Sequence, residues 1–131
     1  MPAKLSVLRA CHRVLKPEGR IAYYTIYAPP DLSEADYRRI MKFWPPATTR
    51  RRSPSEMLES AGFIDVRAAD VTKQYRRTSR AWLEGRQRRF DEIAQAIGED
   101  TLKGKIVEGE AIRELIKDSL LRRSLLTGRC A

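Results

Sequence analysis

The feature that most constrains the fold is the segment Arg20–Tyr27, in which one arginine is followed by the uncharged run Ile-Ala-Tyr-Tyr-Thr-Ile-Tyr. β-Branched and aromatic residues without polar alternation predict a strand covered on both faces, as inside a parallel sheet. Residues 4–15 precede it with apolar side chains at helical spacing. The turn Lys16-Pro17-Glu18-Gly19 ends that helix, since proline cannot continue its hydrogen bonds. A helix, a turn and a buried strand together indicate an α/β protein.

Helical and strand patterns also alternate along the rest of the chain. Ser33 with Asp36, and Ser53 with Glu56, form two capping boxes, each of which predicts the start of a helix. Gly62 is placed to end the second of these helices. Residues 63–71 alternate like a half-covered strand nearer a sheet edge. We further predict helices at 79–97 and 107–120, a loop at 98–104 between them, and a closing strand at 122–130. This order predicts the α/β class.

Composition sets broad limits on the kind of protein. A chain of 131 residues with 42% hydrophobic and 33% charged residues has the length of one domain and enough apolar surface for a packed core. Its longest apolar run, residues 21–30, is much shorter than the roughly 20 residues of a membrane span. Residues 1–4 show no apolar signal core. The cytoplasm is therefore the expected compartment, with no membrane partner.

Cysteine spacing and charge bear on metals and nucleic acid. Cys11 and Cys130 lie at opposite ends of the chain and have no metal-ligand spacing, so we predict no metal site. The net charge of +9 raises nucleic acid as a partner, although the cations are spread over predicted helix faces and loops. One cluster, Arg50-Arg51-Arg52, is suited to holding an anion. A non-catalytic basic binding module on a degenerate scaffold is therefore the alternative to the function considered next.

Two motifs resemble those of class I S-adenosylmethionine-dependent methyltransferases. The first is Arg13-Val14-Leu15-Lys16-Pro17-Glu18-Gly19-Arg20-Ile21, which is similar to the segment that enters the fifth strand of that family, where glycine is more usual than Glu18. The second is Met57-Leu58-Glu59-Ser60-Ala61-Gly62-Phe63-Ile64-Asp65-Val66, which resembles the helix-to-sixth-strand junction. Residues 120–129 resemble the seventh strand. The motifs occur in the order expected for the carboxyl-terminal portion of the family's domain.

The resemblance implies a partial Rossmann-like methyltransferase fold. It predicts a three-stranded mixed sheet with flanking helices, in which the last strand lies antiparallel between the other two. Residues 1–72 would form helix-strand units, residues 73–120 a two-helix insertion that acts as a lid, and residues 121–131 the final strand. In the family, such an insertion accompanies action on small molecules. The expected activity is methyl transfer to a small-molecule acceptor.

The resemblance also implies the cofactor S-adenosylmethionine for the complete domain. In the family, the cofactor site is built from strands that precede the portion matched here. Nothing in these residues matches its glycine-rich turn, because the glycines between Gly98 and Gly109 link predicted helices. We therefore assign no cofactor-binding residue and expect the isolated chain not to bind the cofactor.

Candidate substrate residues lie where ligands bind in open α/β sheets, beyond the carboxyl ends of the strands. Thr25 and Tyr27 end the first strand. Tyr37 and Trp44 belong to the apolar side of the next helix, together with Ile40 and Met41. The alternative for these aromatic residues is simple core packing. No catalytic residue is assigned.

The first strand also has a consequence for association. If the family's strand order holds, the strand that begins at Ile21 and ends at Tyr27 lacks a fourth strand that would pair with it. A long apolar edge invites pairing with another chain. We expect homodimerisation, or docking of the missing amino-terminal half, at this edge.

Overall fold

A computed structural model describes residues 4–43 and 52–131. They form six helices and three strands in these ranges: α1 (Lys4–Val14), β1 (Arg20–Tyr27), α2 (Glu34–Phe43), α3 (Pro54–Ser60), β2 (Ile64–Asp70), α4 (Thr72–Arg88), α5 (Phe90–Ile97), α6 (Glu99–Lys117) and β3 (Arg122–Arg129). Within these ranges, none of the helices combines the length and the apolar run that crossing a bilayer requires.

The three strands form one sheet in the order β1-β3-β2. β3 runs antiparallel to β1, with Arg20 opposite Arg129 and Tyr27 opposite Arg122. It also runs antiparallel to β2, with Asp70 opposite Ser124. The predicted insertion of the last strand between the other two is confirmed. Because β3 separates β1 from β2, both hydrogen-bonded pairs in the described sheet are antiparallel, and the parallel neighbour expected for β1 is not among these residues.

A bulge interrupts the pairing of β2 with β3 between Ile64 and Arg67. Asp65 lies inside it with a φ of 51°, a left-handed conformation that aspartate tolerates better than most residues. Ile64 is consequently exposed rather than aligned with Val66 on the covered face. The strict alternation predicted for this strand is wrong at its beginning.

Helices cover the two faces of the sheet with separate apolar clusters. On one face, which we call the α1 face, α1 and α3 pack on the sheet through Leu8, Met57, Leu58, Phe63 and Leu126. On the other, which we call the α6 face, α2, α4 and α6 contribute Ile40, Tyr75, Leu115 and Ile116, which pack with Leu121 beside the start of β3. The helices thus form two layers around one sheet.

The predicted starts of α2 and α3 and the predicted end of α3 are confirmed. The Ser33 hydroxyl accepts a hydrogen bond from the Asp36 amide at 3.2 Å, and the Ser53 hydroxyl accepts one from the Glu56 amide, also at 3.2 Å. Gly62 follows α3 with a φ of 104°, a conformation that L side chains rarely adopt. Local chemistry therefore sets where α2 and α3 begin and where α3 ends.

The predicted boundaries of the long helices are wrong. α4 begins at Thr72 rather than residue 79, and α5 is a separate helix because Arg89 interrupts the run. Residues 99–104, predicted as part of a loop, form the start of α6. Glu99 and Asp100 in its first turn interact favourably with the positive end of the helix dipole, which helps the helix to begin directly after Gly98.

The predicted apolar side of these helices is buried only in part. Leu83, Leu115 and Ile116 are buried, as expected. Trp82, placed on the same side by periodicity, is 61% exposed, and Ile97 is exposed as well. α4 and α6 pack mainly on each other, so residues turned away from that contact remain at the surface.

Candidate functional site

A concavity lined mainly by apolar side chains lies on the α1 face. It has a volume of about 460 Å³ and is bounded by α1, β1 and the beginning of α3. Successive β1 side chains point to opposite faces of the sheet. Because Ile21 and Tyr23 lie on the α1 face, Thr25 and Tyr27 lie on that face too. Thr25 and Tyr27 therefore both line this space, which we call the α1 groove.

A smaller cavity of about 270 Å³ continues from the groove at the carboxyl end of β1. Tyr27 lines both spaces. Its hydroxyl lies 3.1 Å from the hydroxyl of Ser124, which is only 4% exposed. Arg122 lines the same cavity, and its guanidinium lies 3.8 Å from the Asp70 carboxylate. We call this space the Tyr27 cavity.

The electrostatics of the α1 groove favour neutral side chains. Burial raises the pKa of Tyr23, and the neighbouring Cys11 raises it further. Burial against the groove also lowers the pKa of Lys4. The Tyr23 phenol therefore stays protonated at neutral pH and is suited to hydrogen bonding rather than to removing a proton.

The structure brings together only some of the predicted substrate residues. Thr25 and Tyr27 share the α1 groove. Tyr37 lies on α2, which packs on the α6 face through Ile40, and it lines neither the α1 groove nor the Tyr27 cavity. Trp44 lies outside the described residues, as do Arg50 and Arg51. A substrate-binding role stays a prediction for all four candidates.

Sequence reasoning missed several residues of the two cavities. Ser124 and Arg122 come from β3, and Lys4 and Val7 come from α1. A serine within the apolar run of β3 was the only available signal. It could not be used without the register, which pairs Ser124 with Thr25, two residues before Tyr27.

The predicted lid segment packs on the α6 face. α4 and α6 contact each other, α4 contacts β3, and α6 contacts α2. Tyr75 of α4 is buried there, and the Arg123 guanidinium stands 5.8 Å from its ring centroid. Burial raises the pKa of Tyr75, although a hydrogen bond with Ser79 and the charge of Arg123 oppose the shift. A lid role for this segment stays a prediction.

The described residues do not fit the S-adenosylmethionine site of dinucleotide-binding α/β folds. Such a site needs a glycine-rich turn at the carboxyl end of a strand. β1 instead runs into Ala28-Pro29-Pro30, whose prolines offer no N–H donor. Asp70, the acidic residue that ends β2, already accepts a 2.8 Å hydrogen bond from the Thr72 amide. Among the residues that the structure describes, no group of three or more His, Cys, Asp or Glu side chains is arranged to hold a metal.

Solved structures with the same fold include methyltransferases and cyclopropane synthases, some of them in complex with S-adenosylmethionine or S-adenosylhomocysteine. A Galdieria sulphuraria protein solved as a candidate sarcosine dimethylglycine methyltransferase is 18% identical, with a TM-score of 0.83 over 98% of this chain and 48% of its own. Phosphoethanolamine N-methyltransferase 2 of Haemonchus contortus, solved with phosphomonomethylethanolamine and S-adenosylhomocysteine, is 14% identical, with a TM-score of 0.78 over 99% of this chain and 30% of its own. A cyclopropane synthase from Mycobacterium tuberculosis is 17% identical, with a TM-score of 0.71 over 95% of this chain and 49% of its own.

These similarities show the fold. They confirm the predicted resemblance to part of a methyltransferase domain with a Rossmann-like sheet. The chain spans between about a third and about a half of the length of these three proteins. No protein-family model matches the sequence, and no curated protein matches it.

Proposed function

We propose that this chain forms the acceptor-binding part of an S-adenosylmethionine-dependent methyltransferase that acts on a small molecule. The observation that carries the proposal is the fold shared with the Galdieria sulphuraria methyltransferase over 98% of this chain. Because the described residues do not fit a cofactor site, the cofactor would be bound mainly by a complementary part of the domain. The whole activity would then need both parts.

A small acceptor suits the size and charge of the Tyr27 cavity. Its volume of about 270 Å³ is close to the lower limit for ligand pockets, which is about 300 Å³. Arg122 places a guanidinium at this cavity, and guanidinium groups bind carboxylates and phosphates well. Two similar proteins are named for or solved with acceptors that carry such anionic groups, sarcosine and phosphomonomethylethanolamine. A small anionic amine is therefore the acceptor class to test first.

Tyr27 and Ser124 would position this acceptor. The contact between their hydroxyls restrains the Tyr27 ring, which is shared by the groove and the cavity. Methyl transfer depends mainly on holding the acceptor in line with the methyl group, so a restrained side chain at the site contributes through alignment. We assign Tyr27 a substrate-positioning role and no proton transfer.

Calorimetric titration with S-adenosylmethionine tests where the cofactor binds. We expect no detectable binding by the isolated chain, because its strand ends lack the turn that such a cofactor needs. Binding with micromolar affinity would contradict the assignment of the cofactor site to a complementary part.

Activity is tested with a chimera in which this chain replaces the matching part of the Galdieria sulphuraria protein. We expect release of S-adenosylhomocysteine with sarcosine, dimethylglycine or phosphoethanolamine. Tyr27→Phe should lower kcat/KM by roughly tenfold, the equivalent of one hydrogen bond. Tyr37→Phe tests the candidate on α2 separately, because unchanged kcat/KM would remove Tyr37 from the acceptor site. A chimera that binds the cofactor but methylates none of these acceptors would contradict the proposed acceptor class.

A second candidate function is nucleic-acid binding by α4. This helix carries several exposed basic residues, and its exposed Trp82 has the Arg86 guanidinium 5.5 Å from the ring centroid. Exposed aromatic rings beside cations are typical of single-strand binding surfaces. Fluorescence anisotropy with a labelled single-stranded RNA should show affinity that falls steeply with salt and weakens in Trp82→Ala. No binding at low salt would remove this candidate.

A further inference from the structure

The outer edge of β1 has no strand beside it in the part of the chain that the structure describes. The Cys130 amide donates to the Gly19 carbonyl at 2.9 Å, which makes Gly19 and Cys130 a hydrogen-bonded pair in the register of β1 and β3. Pairs of this kind alternate with non-bonded pairs along an antiparallel ladder. The backbone N–H and C=O groups of Ala22, Tyr24 and Ile26 therefore point away from β3, towards the outer edge.

The α1 groove opens beside this edge. α1 packs on the sheet through Leu8, and at its beginning the Lys4 ammonium reaches the outward-pointing Ile26 carbonyl at 3.3 Å. Val7, which faces the groove from α1, is 45% exposed. One side of α1 is thus left without a packing partner.

β1 is uncovered on the α6 face as well. The helices of that face cover its carboxyl end, where Ile26 packs on their cluster. Nearer the beginning of the strand, Tyr24 is 58% exposed. The Arg123 guanidinium lies 4.3 Å from the centroid of its ring. The open edge and the partly open faces of β1 are continuous, so one partner can cover all three.

The topology indicates what this partner is. α1 followed by β1 has the form of the second half of a β-α-β unit, whose first strand runs parallel to the second in the same sheet. β3 already occupies one side of β1, so such a strand fits only at the outer edge. None of the strands that the structure describes lies at that edge, so the strand comes from outside the described residues.

We propose that the outer edge of β1 and the α1 groove dock the complementary, cofactor-binding half of the same fold, which adds a parallel strand to β1. The inference rests on the proposed function. It is supported by the Galdieria sulphuraria protein, of which this chain covers only 48%. The net charge of +9 favours an acidic partner.

Amide hydrogen exchange tests this docking directly. The probe is the part of the Galdieria sulphuraria protein that this chain does not match, added at saturating concentration. In the isolated chain, the amides of Ala22, Tyr24 and Ile26 should exchange quickly, whereas those of Tyr23 and Thr25 are protected by β3. Addition of the probe should slow the three outward amides at least tenfold. Unchanged exchange at all three would overturn the proposal.

A second copy of this chain is the competing occupant. If it fills the edge, sedimentation will show a dimer, and protection of the outward amides will rise with chain concentration in the absence of the probe. That result would also overturn the proposal.

Two alanines provide a matched pair of variants. Ala22→Pro removes an outward N–H and blocks strand addition at β1, a change that an edge strand tolerates. Ala68→Pro does the same on β2, where the 2.8 Å bond from the Val71 amide to the Arg123 carbonyl makes Ala68 outward-pointing by the same alternation. We expect at least tenfold weaker docking only for Ala22→Pro. Equal docking by both folded variants would show that β1 is not the site.

A side-chain variant covers the case in which Ala22→Pro does not fold. Val7→Glu places a charge in the α1 groove, whereas Val14→Glu places one at the end of α1 at a position outside the groove lining. Val7→Glu should weaken docking and Val14→Glu should not; equal effects would overturn the proposal. Docking without methyl transfer would leave this proposal standing and contradict only the proposed function.

Discussion

Gly62 is the position at which a single added methyl group has the clearest consequence. It joins α3 to β2 with a φ of 104°, and an added Cβ would lie 3.1 Å from His12 Nε2. The His12 ring is held there edge-on against Phe63, with 5.0 Å between ring centroids. Gly62→Ala therefore combines backbone strain with a contact that α1 has to relieve.

The cost of this substitution follows from opposing terms. A left-handed backbone costs an L residue about 1–3 kcal/mol. Alanine also lowers the conformational entropy of the unfolded chain, which stabilises the folded protein by about 0.4–1 kcal/mol. We expect a net loss of about 1–2 kcal/mol in the free energy of unfolding, before the His12 contact is added. Urea denaturation followed by circular dichroism at fixed protein concentration measures this loss.

Gly85 supplies the matched control. It lies inside α4, and an added Cβ would meet no heavy atom within 4 Å. Gly85→Ala should stabilise the protein by about 1 kcal/mol, because alanine is the better helix former. The two identical substitutions should thus have opposite signs. Stabilisation by Gly62→Ala would refute the reasoning.

The steric share of the effect is separable from the backbone share. His12→Ala removes the ring that the new methyl group would contact. In a double-mutant cycle, Gly62→Ala should cost less in the His12→Ala background, by about 0.5 kcal/mol or more. Additive effects would assign the whole loss to the backbone.

Three other predictions concern local chemistry. Glu18 has a φ of 63°, so Glu18→Gly should raise the free energy of unfolding by up to about 1 kcal/mol, measured by urea denaturation; a loss would contradict the strain argument. The hydrogen bond from Thr72 lowers the pKa of Asp70 in the folded protein. The stability that this bond contributes is therefore complete above the ordinary carboxyl pKa and is lost as the pH falls through the lowered pKa of the folded state. Asp70→Ala should therefore destabilise the protein at about pH 6, and the loss should shrink as the pH falls below about 4; a pH-independent difference would rule this out. Cys11 lines the groove whereas Cys130 is buried, so Ellman's reagent should modify Cys11 first, and equal rates would count against the packing.

Glu18 is the position at which the first motif departs from the family that it resembles. The motif usually has glycine where this chain has Glu18, and the structure shows a left-handed backbone at that residue. Glycine adopts this conformation without a steric cost. The chain therefore keeps the family's turn at some cost in strain.

The exposed surroundings of β1 connect the fold to the proposed function. A strand with this composition belongs in the interior of a sheet, yet Tyr24 and the outer backbone groups are uncovered. Docking of a complementary half would restore the environment that the composition of β1 indicates. The same event would bring a cofactor site to the carboxyl end of β1, beside Tyr27.

The sequence alone was sufficient for features that depend on neighbouring residues. The helix, turn and strand at the start of the chain, the caps at Ser33 and Ser53, and the turn at Gly62 follow from propensity and local hydrogen bonding. The order of these elements, with their two motifs, was also enough to predict the α/β class and the place of the last strand in the sheet.

Only the tertiary structure decided what depends on distant contacts. The hydroxyls of Tyr27 and Ser124 are 97 residues apart in sequence and meet because of the register of β1 with β3. The same packing places α2, which carries Tyr37, on the α6 face and leaves Trp82 at the surface. Periodicity identifies the apolar side of an element, but the neighbour that covers it is chosen by the whole fold.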